Sequence, residues 1–115
     1  MEQRRHRRVP LSVDVQLFIE GAEPPLVRRG MVSTISLGGT GLYLAEPLES
    51  GVKVSLENRF LVSGDEVKTE GARGTIINSN YIRDIYLVGV KFDQELSSEH
   101  QPHLYGRIQD ILKSY

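Results

Sequence analysis

The feature that most constrains the fold is an alternation of apolar and polar residues near the N-terminus. Apolar side chains occupy every second position from Val9 to Ile19. A period of two is that of a β-strand with one buried face, because successive side chains point to opposite sides of the sheet. We therefore predict one continuous strand over residues 9–19, with one face packed on a core and the other exposed.

Further strand patterns follow at regular intervals, separated by segments rich in glycine and proline, which favour turns. These patterns lie at residues 27–35, 42–44, 52–56, 60–62, 67–77 and 85–92. The run Gly38-Gly39-Thr40-Gly41 predicts a tight turn between two of the strands, and Ser63-Gly64-Asp65 predicts a hairpin.

Near the C-terminus the apolar period changes from that of a strand to that of a helix. The apolar residues that share one helical face are Leu104, Ile108, Ile111 and Leu112. Ser98 precedes Gln101 by three residues, which is the spacing of a capping box. The pattern predicts an amphipathic helix over about 98–114.

A chain of 115 residues, of which 39% are hydrophobic, suits one domain with a single core. Short strands followed by one helix favour a mainly β fold. We predict an antiparallel β-barrel of about six strands, within a range of five to seven, with a C-terminal α-helix. The barrel and helix are expected over residues 9–115, after a flexible arginine-rich segment over 1–8.

The residues that the sequence lacks also exclude some chemistry. It contains no cysteine, which excludes disulfides, thiolate catalysis and most structural zinc sites. No stretch approaches about 18 uninterrupted apolar residues, so we expect neither a secretory signal nor a transmembrane helix. These features suit a cytoplasmic protein without direct membrane insertion.

Four of the fourteen Lys and Arg residues are Arg4, Arg5, Arg7 and Arg8. An arginine guanidinium binds phosphate or a guanine O6/N7 edge through two hydrogen bonds and stacks on bases. The net charge is −1, which argues against a general nucleic-acid binder and means that any anion site is local. Considered alone, the arginine run is more simply interpreted as a solvated tail.

The second cluster of interest is segment 34–41, which contains Thr34, Ser36 and three glycines. Glycines permit a turn whose backbone amides face one concave point, where a small hydroxyl can bind phosphate or a base edge. No Gly-Lys-Ser/Thr follows, so the segment is not a Walker loop. An ordinary hairpin turn is the alternative interpretation.

Together the two clusters resemble the PilZ family, whose signature is Arg-x-x-x-Arg followed by Asp/Asn-x-Ser-x-x-Gly. Arg4 and Arg8 match the first motif, while Thr34, Ser36 and Gly39 fall on the second. The resemblance extends over nearly the whole chain and includes Gly-Gly-x-Gly-Leu at 38–42 and Gly-Val-x-Phe at 89–92. It implies a six-stranded barrel of PilZ type.

The resemblance further implies a bacterial, non-enzymatic receptor for the second messenger cyclic di-GMP, with no cofactor. The implied ligand-binding residues are Arg4, Arg5, Arg8, Thr34, Ser36, Gly38 and Gly39. The arginine segment would clamp the ligand against the barrel and relay a signal to a motility, adhesion or exopolysaccharide system. The downstream protein partner is not identified by the sequence.

Thr34 departs from the family motif, because a threonine hydroxyl replaces a carboxylate or amide. A carboxylate accepts from both guanine N1–H and N2–H, whereas the hydroxyl offers fewer matched contacts and no charge. We therefore expect weaker binding than the full motif would give. The alternative is a degenerate PilZ-like interaction module that binds cyclic di-GMP weakly or not at all.

Other polar clusters suggest little chemistry. His100 and His103 have a spacing that can present two metal ligands, but no third ligand is evident and surface histidines are the simpler interpretation. The acidic residues fall in predicted turns, and Ser36 has no neighbouring histidine base, so we predict no catalytic residues. A small barrel that binds single-stranded nucleic acid is a third alternative, disfavoured by the net charge.

Overall fold

A computed structural model describes residues 6–114 of the chain and contains seven strands and one helix there. The elements in chain order are β1 (Val9–Pro10), β2 (Asp14–Ile19), β3 (Leu26–Ile35), β4 (Gly39–Leu44), β5 (Lys53–Ser63), β6 (Glu66–Ile82), β7 (Ile85–Phe92) and α1 (Pro102–Lys113). The predicted mainly β fold with a C-terminal helix is confirmed.

The strands form one antiparallel sheet whose order is β1-β3-β2-β5-β6-β7-β4. An additional pairing between β3 and β4 closes this sheet into a ring of six long strands, with β1 added along β3. Alternate residues of every strand point into the ring, and Leu17, Leu42 and Val88 are fully buried there. The ring interior is therefore the hydrophobic core.

The predicted continuous strand over 9–19 is wrong, because the strand is interrupted between Pro10, where β1 ends, and Asp14, where β2 begins. β1 pairs with the end of β3, at Thr34 and Ile35, whereas β2 pairs with β3 further back and with β5 on its other side. The apolar alternation survives the break, since Val13 remains buried and its carbonyl accepts a hydrogen bond from the amide of Val32 at 2.8 Å.

The predicted hairpin at Ser63-Gly64-Asp65 lies between paired strands, whereas the turn predicted over residues 38–41 lies earlier, at Leu37 and Gly38, because Gly39 already begins β4. Gly64, with φ of 53°, turns the chain between β5 and β6, as the sequence predicted. The β6–β7 turn places Arg83 and Asp84 at φ of 46° and 70°, a conformation typical of two-residue hairpins. The Tyr81 hydroxyl donates to Asp84 Oδ1 at 2.8 Å, and this hydrogen bond raises the pKa of Tyr81.

Helix α1 begins at Pro102, and the predicted capping role of Ser98 is wrong. The N-cap residue is Gln101, whose side chain instead accepts from the amide of Ser97 at 3.0 Å. The helix N-terminus is capped by Glu70 of β6: its two carboxylate oxygens accept from the amides of His103 and Leu104, each at 2.8 Å. A carboxylate satisfies these amides well because it also complements the helix dipole.

The helix closes one end of the ring. Leu104 and Ile108 are fully buried, and both belong to the apolar face that the sequence predicted. Arg107 lies with its guanidinium 4.8 Å from the centre of the Phe60 ring and donates to the Leu61 carbonyl of β5. The helix is therefore joined to the sheet by apolar packing and polar contacts.

Among residues 6–114, no helix has both the length and the apolar character needed to cross a membrane.

Candidate functional site

The glycine turn between β3 and β4 is built by the Ser36 hydroxyl. Its oxygen accepts from the amides of Gly38 and Gly39, both at 3.2 Å, and it donates to the Gly39 carbonyl at 3.3 Å. The backbone amide of Ser36 also donates to that carbonyl, at 2.8 Å. Ser36 is 5% exposed, so its hydroxyl acts inside the turn.

Backbone contacts with neighbouring segments fix the position of this turn. The Gly38 carbonyl accepts from the amide of Phe92 and the Leu37 carbonyl accepts from the amide of Leu96, each at 2.9 Å. A Cβ atom on Gly39 would lie 2.5 Å from the Val90 carbonyl oxygen, which is closer than atoms can approach. Only glycine fits at position 39, and the turn is held rigidly against β7.

His6 lies against this turn. Cδ2 of His6 is 3.2 Å from the point that a Cβ atom of Gly38 would occupy. Nε2 of His6 lies 2.7 Å from Oε2 of Glu95, a contact that becomes an ion pair when the imidazole is protonated. His6 is thus in contact with Gly38, which lies some thirty residues later in the chain.

Arg8 and Thr34 meet above Gly41 of β4. The Thr34 hydroxyl oxygen lies 3.5 Å, and Nη1 of Arg8 lies 3.8 Å, from the position of a Cβ atom built on Gly41. Cδ1 of Leu87 on β7 lies 3.6 Å from the same point. The second arginine of the first motif and the first residue of the second motif thus both approach the same residue, Gly41, which has no side chain.

Five of the seven predicted site residues come together in this way, at Arg8, Thr34, Ser36, Gly38 and Gly39. Arg4 and Arg5 lie outside the described residues. Gly41 was not among the predicted site residues, although a glycine two positions after Gly39 on the same strand points to the same, outer face. The two-residue interval between Gly39 and Gly41 is the sequence feature from which this position could have been predicted.

The predicted secondary candidates have structural partners. His103 Nδ1 lies 2.9 Å from Glu70 Oε2, and His100 Nδ1 lies 3.2 Å from the Ser97 hydroxyl. Within the part of the chain that the structure describes, no group of three or more side chains could hold a metal ion. His103 therefore belongs to the first turn of the helix, and His100 belongs to the turn that precedes it.

A cleft of about 680 Å³ lies elsewhere, between β5, β6 and the segment that connects β7 to the helix. Arg73 at its wall is paired with Glu20 at 2.7 Å, and Asp93 is paired with Lys53 at 3.2 Å. None of the predicted site residues lines it. The candidate site thus lies outside this cleft.

The chain matches the family model described as "PilZ domain" over residues 2–110. It belongs to the PilZ domain family. No curated protein matches the chain in sequence.

Three solved structures share the fold. The chain is 20% identical to the inhibitor of motility MotI/DgrA of Bacillus subtilis, with a TM-score of 0.71 over 98% of this chain and 53% of that one. It is 16% identical to MrkH in the K. pneumonia MrkH–c-di-GMP complex, with a TM-score of 0.66 over 99% and 55%. It thus spans about half the length of these two proteins.

The third structure is the PilZ domain of YcgR from Escherichia coli with c-di-GMP. The chain is 21% identical to it, with a TM-score of 0.58 over 98% of this chain and 91% of that one. At these identities the likeness establishes a common fold.

Proposed function

We propose that this chain is a non-enzymatic receptor for cyclic di-GMP, in which the N-terminal arginine segment holds the ligand against the outer face of the ring at β3 and β4. Membership of the PilZ family supports the proposal, as do two structures of the same fold, MrkH and the PilZ domain of YcgR, that contain c-di-GMP. The chemistry of the residues around Gly41 supports it independently.

The observation that carries the proposal is the meeting of Arg8 and Thr34 above Gly41. A guanidinium at this position presents a planar set of donors to phosphate oxygens or to guanine O6 and N7. A glycine beneath it leaves room for a flat base to approach the backbone of the sheet. The Arg8 guanidinium, the Thr34 hydroxyl and a position without a side chain, Gly41, thus lie close together, and each can serve in binding a guanine nucleotide.

Arg4 and Arg5 complete the clamp in this proposal, through charge-assisted hydrogen bonds to the ligand. Ser36 contributes by shaping the turn, since its hydroxyl is engaged with Gly38 and Gly39. The cost of ordering the arginine segment reduces the net affinity. Binding therefore couples the ligand to the conformation of the N-terminus and makes the module a switch.

The signal is relayed, in this proposal, to a motility, adhesion or exopolysaccharide system in the bacterial cytoplasm, through a protein partner that recognises the altered N-terminal surface. A degenerate module that has lost the ligand is the second candidate. Thr34 favours it, since this position lacks the carboxylate or amide of the family motif. The geometry around Gly41 favours retention of binding.

Calorimetric titration of the chain with cyclic di-GMP tests the proposal, with the linear dinucleotide pGpG and GTP as controls. We expect saturable binding of the cyclic dinucleotide and at least about ten-fold weaker binding of both controls, because only the cyclic ligand holds two guanines at a fixed separation. Absence of binding at high micromolar cyclic di-GMP would favour the degenerate module.

A further inference from the structure

The outer face of the ring carries a row of four residues in register across four strands. Thr34 of β3 pairs with Gly41 of β4, Gly41 pairs with Gly89 of β7, and Gly89 pairs with Asn78 of β6. The two central positions have no side chains, and we call them the glycine strip. Thr34 and Asn78 bound the strip at its ends, three strand spacings apart, or about 14 Å along the sheet.

Two irregularities in the sheet place the end residues on this face. The register of β3 shifts between Val32 and Thr34, and the register of β6 shifts between Ile76 and Asn78. Val32 and Ile76 point inward and are buried. In a regular strand the residues two positions later would also point inward, but each register shift turns them, as Thr34 and Asn78, to the outer face. Bulges of this kind re-aim side chains and are frequent beside functional sites.

The Asn78 side chain leans over the glycine strip. Its Oδ1 lies 2.8 Å from the position that a Cβ atom on Gly89 would occupy, so the amide uses the space that the glycine leaves. Asn78 is exposed, and its amide makes no hydrogen bond to any residue in the 6–114 range. A planar amide offers one acceptor and two donor hydrogens, which complements guanine O6 beside N1–H.

We propose that Asn78 is a specificity-determining residue that reads a guanine edge of the ligand lying on the glycine strip, opposite Arg8 and Thr34. This inference rests on the proposed function and extends it to β6 and β7, which lie outside both motifs. It also gives a compensation for Thr34. The family motif has a carboxylate or amide acceptor at that position, and here the Asn78 amide supplies an acceptor at the other end of the glycine strip.

The test compares Asn78→Ala with Asn80→Ala by calorimetric titration with cyclic di-GMP and by competition with cyclic di-AMP. Asn80 is a matched control, because it is an exposed asparagine of β6 that pairs with Leu87, one row away from Gly89. We expect Asn78→Ala to weaken cyclic di-GMP about three- to ten-fold and to reduce the preference over cyclic di-AMP by a similar factor. Asn80→Ala should leave both values within about two-fold of the wild type.

Gly89→Ala is the second variant, since its methyl group would displace the Asn78 amide, the free end of a side chain, without meeting backbone. We expect Gly89→Ala to lose preference for cyclic di-GMP over cyclic di-AMP, as Asn78→Ala does. Thermal unfolding should show that the variant is folded. If Asn78→Ala binds as the wild type does, or weakens both nucleotides equally, the role of Asn78 is overturned while the proposed function stands. If the wild type itself does not bind cyclic di-GMP, the proposed function fails and takes this inference with it.

Discussion

The hydroxyl of Ser36 and the backbone of Gly39 are joined in both directions: the oxygen accepts from the Gly39 amide at 3.2 Å and the hydroxyl donates to the Gly39 carbonyl at 3.3 Å. The motif serine is therefore part of the framework of the turn. A residue that a motif associates with a ligand here acts on the shape of the loop that would meet the ligand.

Ser36→Ala is expected to destabilise the domain even without ligand, by about 1 to 2 kcal/mol, because the buried amide of Gly39 and the partly buried amide of Gly38 lose their acceptor. Urea unfolding followed by circular dichroism measures the change. Ser33→Ala is the control, since Ser33 is a half-exposed residue at the register shift of β3, and it should have an effect below about 0.5 kcal/mol. Equal stability of Ser36→Ala and the wild type would contradict the framework role.

Glu70→Ala is expected to destabilise the domain by about 2 to 3 kcal/mol, because the amides of His103 and Leu104 lose a buried cap. Glu70→Gln retains one acceptor oxygen, so its stability should lie between those of the wild type and Glu70→Ala. Glu57→Ala removes an exposed carboxylate from β5 and should remain within about 0.5 kcal/mol of the wild type. Equilibrium unfolding in urea ranks the wild type and the three variants by their free energy of unfolding. If Glu57→Ala were less stable than Glu70→Ala, the capping role would be refuted.

Two glycine-to-alanine changes should have opposite effects. At Gly39 the new methyl group would lie 2.5 Å from the Val90 carbonyl oxygen, so we expect a loss of at least about 2 kcal/mol. At Gly106, inside helix α1, nothing lies within 4 Å of the new atom, and helix propensity favours alanine by about 1 kcal/mol. Thermal unfolding of both variants checks the pair, and a stable Gly39→Ala would show that the turn can shift against β7.

Much of the fold could be predicted because its signals are local. Strand β7 occupies residues 85–92, as predicted, and β3 begins one residue before its predicted start. The break between Pro10 and Asp14 was missed because it depends on pairing with β3: Pro10 pairs with Thr34, whereas Asp14 pairs with Met31, one residue out of that register. The cap that Glu70 provides to the helix was missed for a similar reason, since no local pattern joins residues 34 positions apart.

The candidate site divides in the same way. Thr34, Ser36 and Gly39 follow from a spacing that can be read along the chain. Asn78 could not be predicted, because its place on the outer face depends on the register shift after Ile76 and on pairing with Gly89. Such a residue becomes visible only when the strands are aligned.

Thr34→Asp is expected to strengthen cyclic di-GMP binding about ten- to a hundred-fold, because a carboxylate accepts from guanine N1–H and N2–H together and contributes a charge-assisted hydrogen bond. Titration calorimetry of the variant beside the wild type measures the gain. Thr34→Val keeps the shape without the hydroxyl and serves as the control, with weaker binding than the wild type. An unchanged or weakened affinity in Thr34→Asp would contradict the assigned position of the base.

The central claim is that Arg8, positioned above Gly41 beside Thr34, binds the ligand. The most direct test is titration of Arg8→Ala with cyclic di-GMP, with Arg59→Ala as the control because it removes an exposed arginine from β5, a strand that does not pair with β4. The account predicts that Arg8→Ala weakens binding at least about ten-fold while Arg59→Ala binds as the wild type does. Equal affinities of Arg8→Ala and the wild type would contradict it.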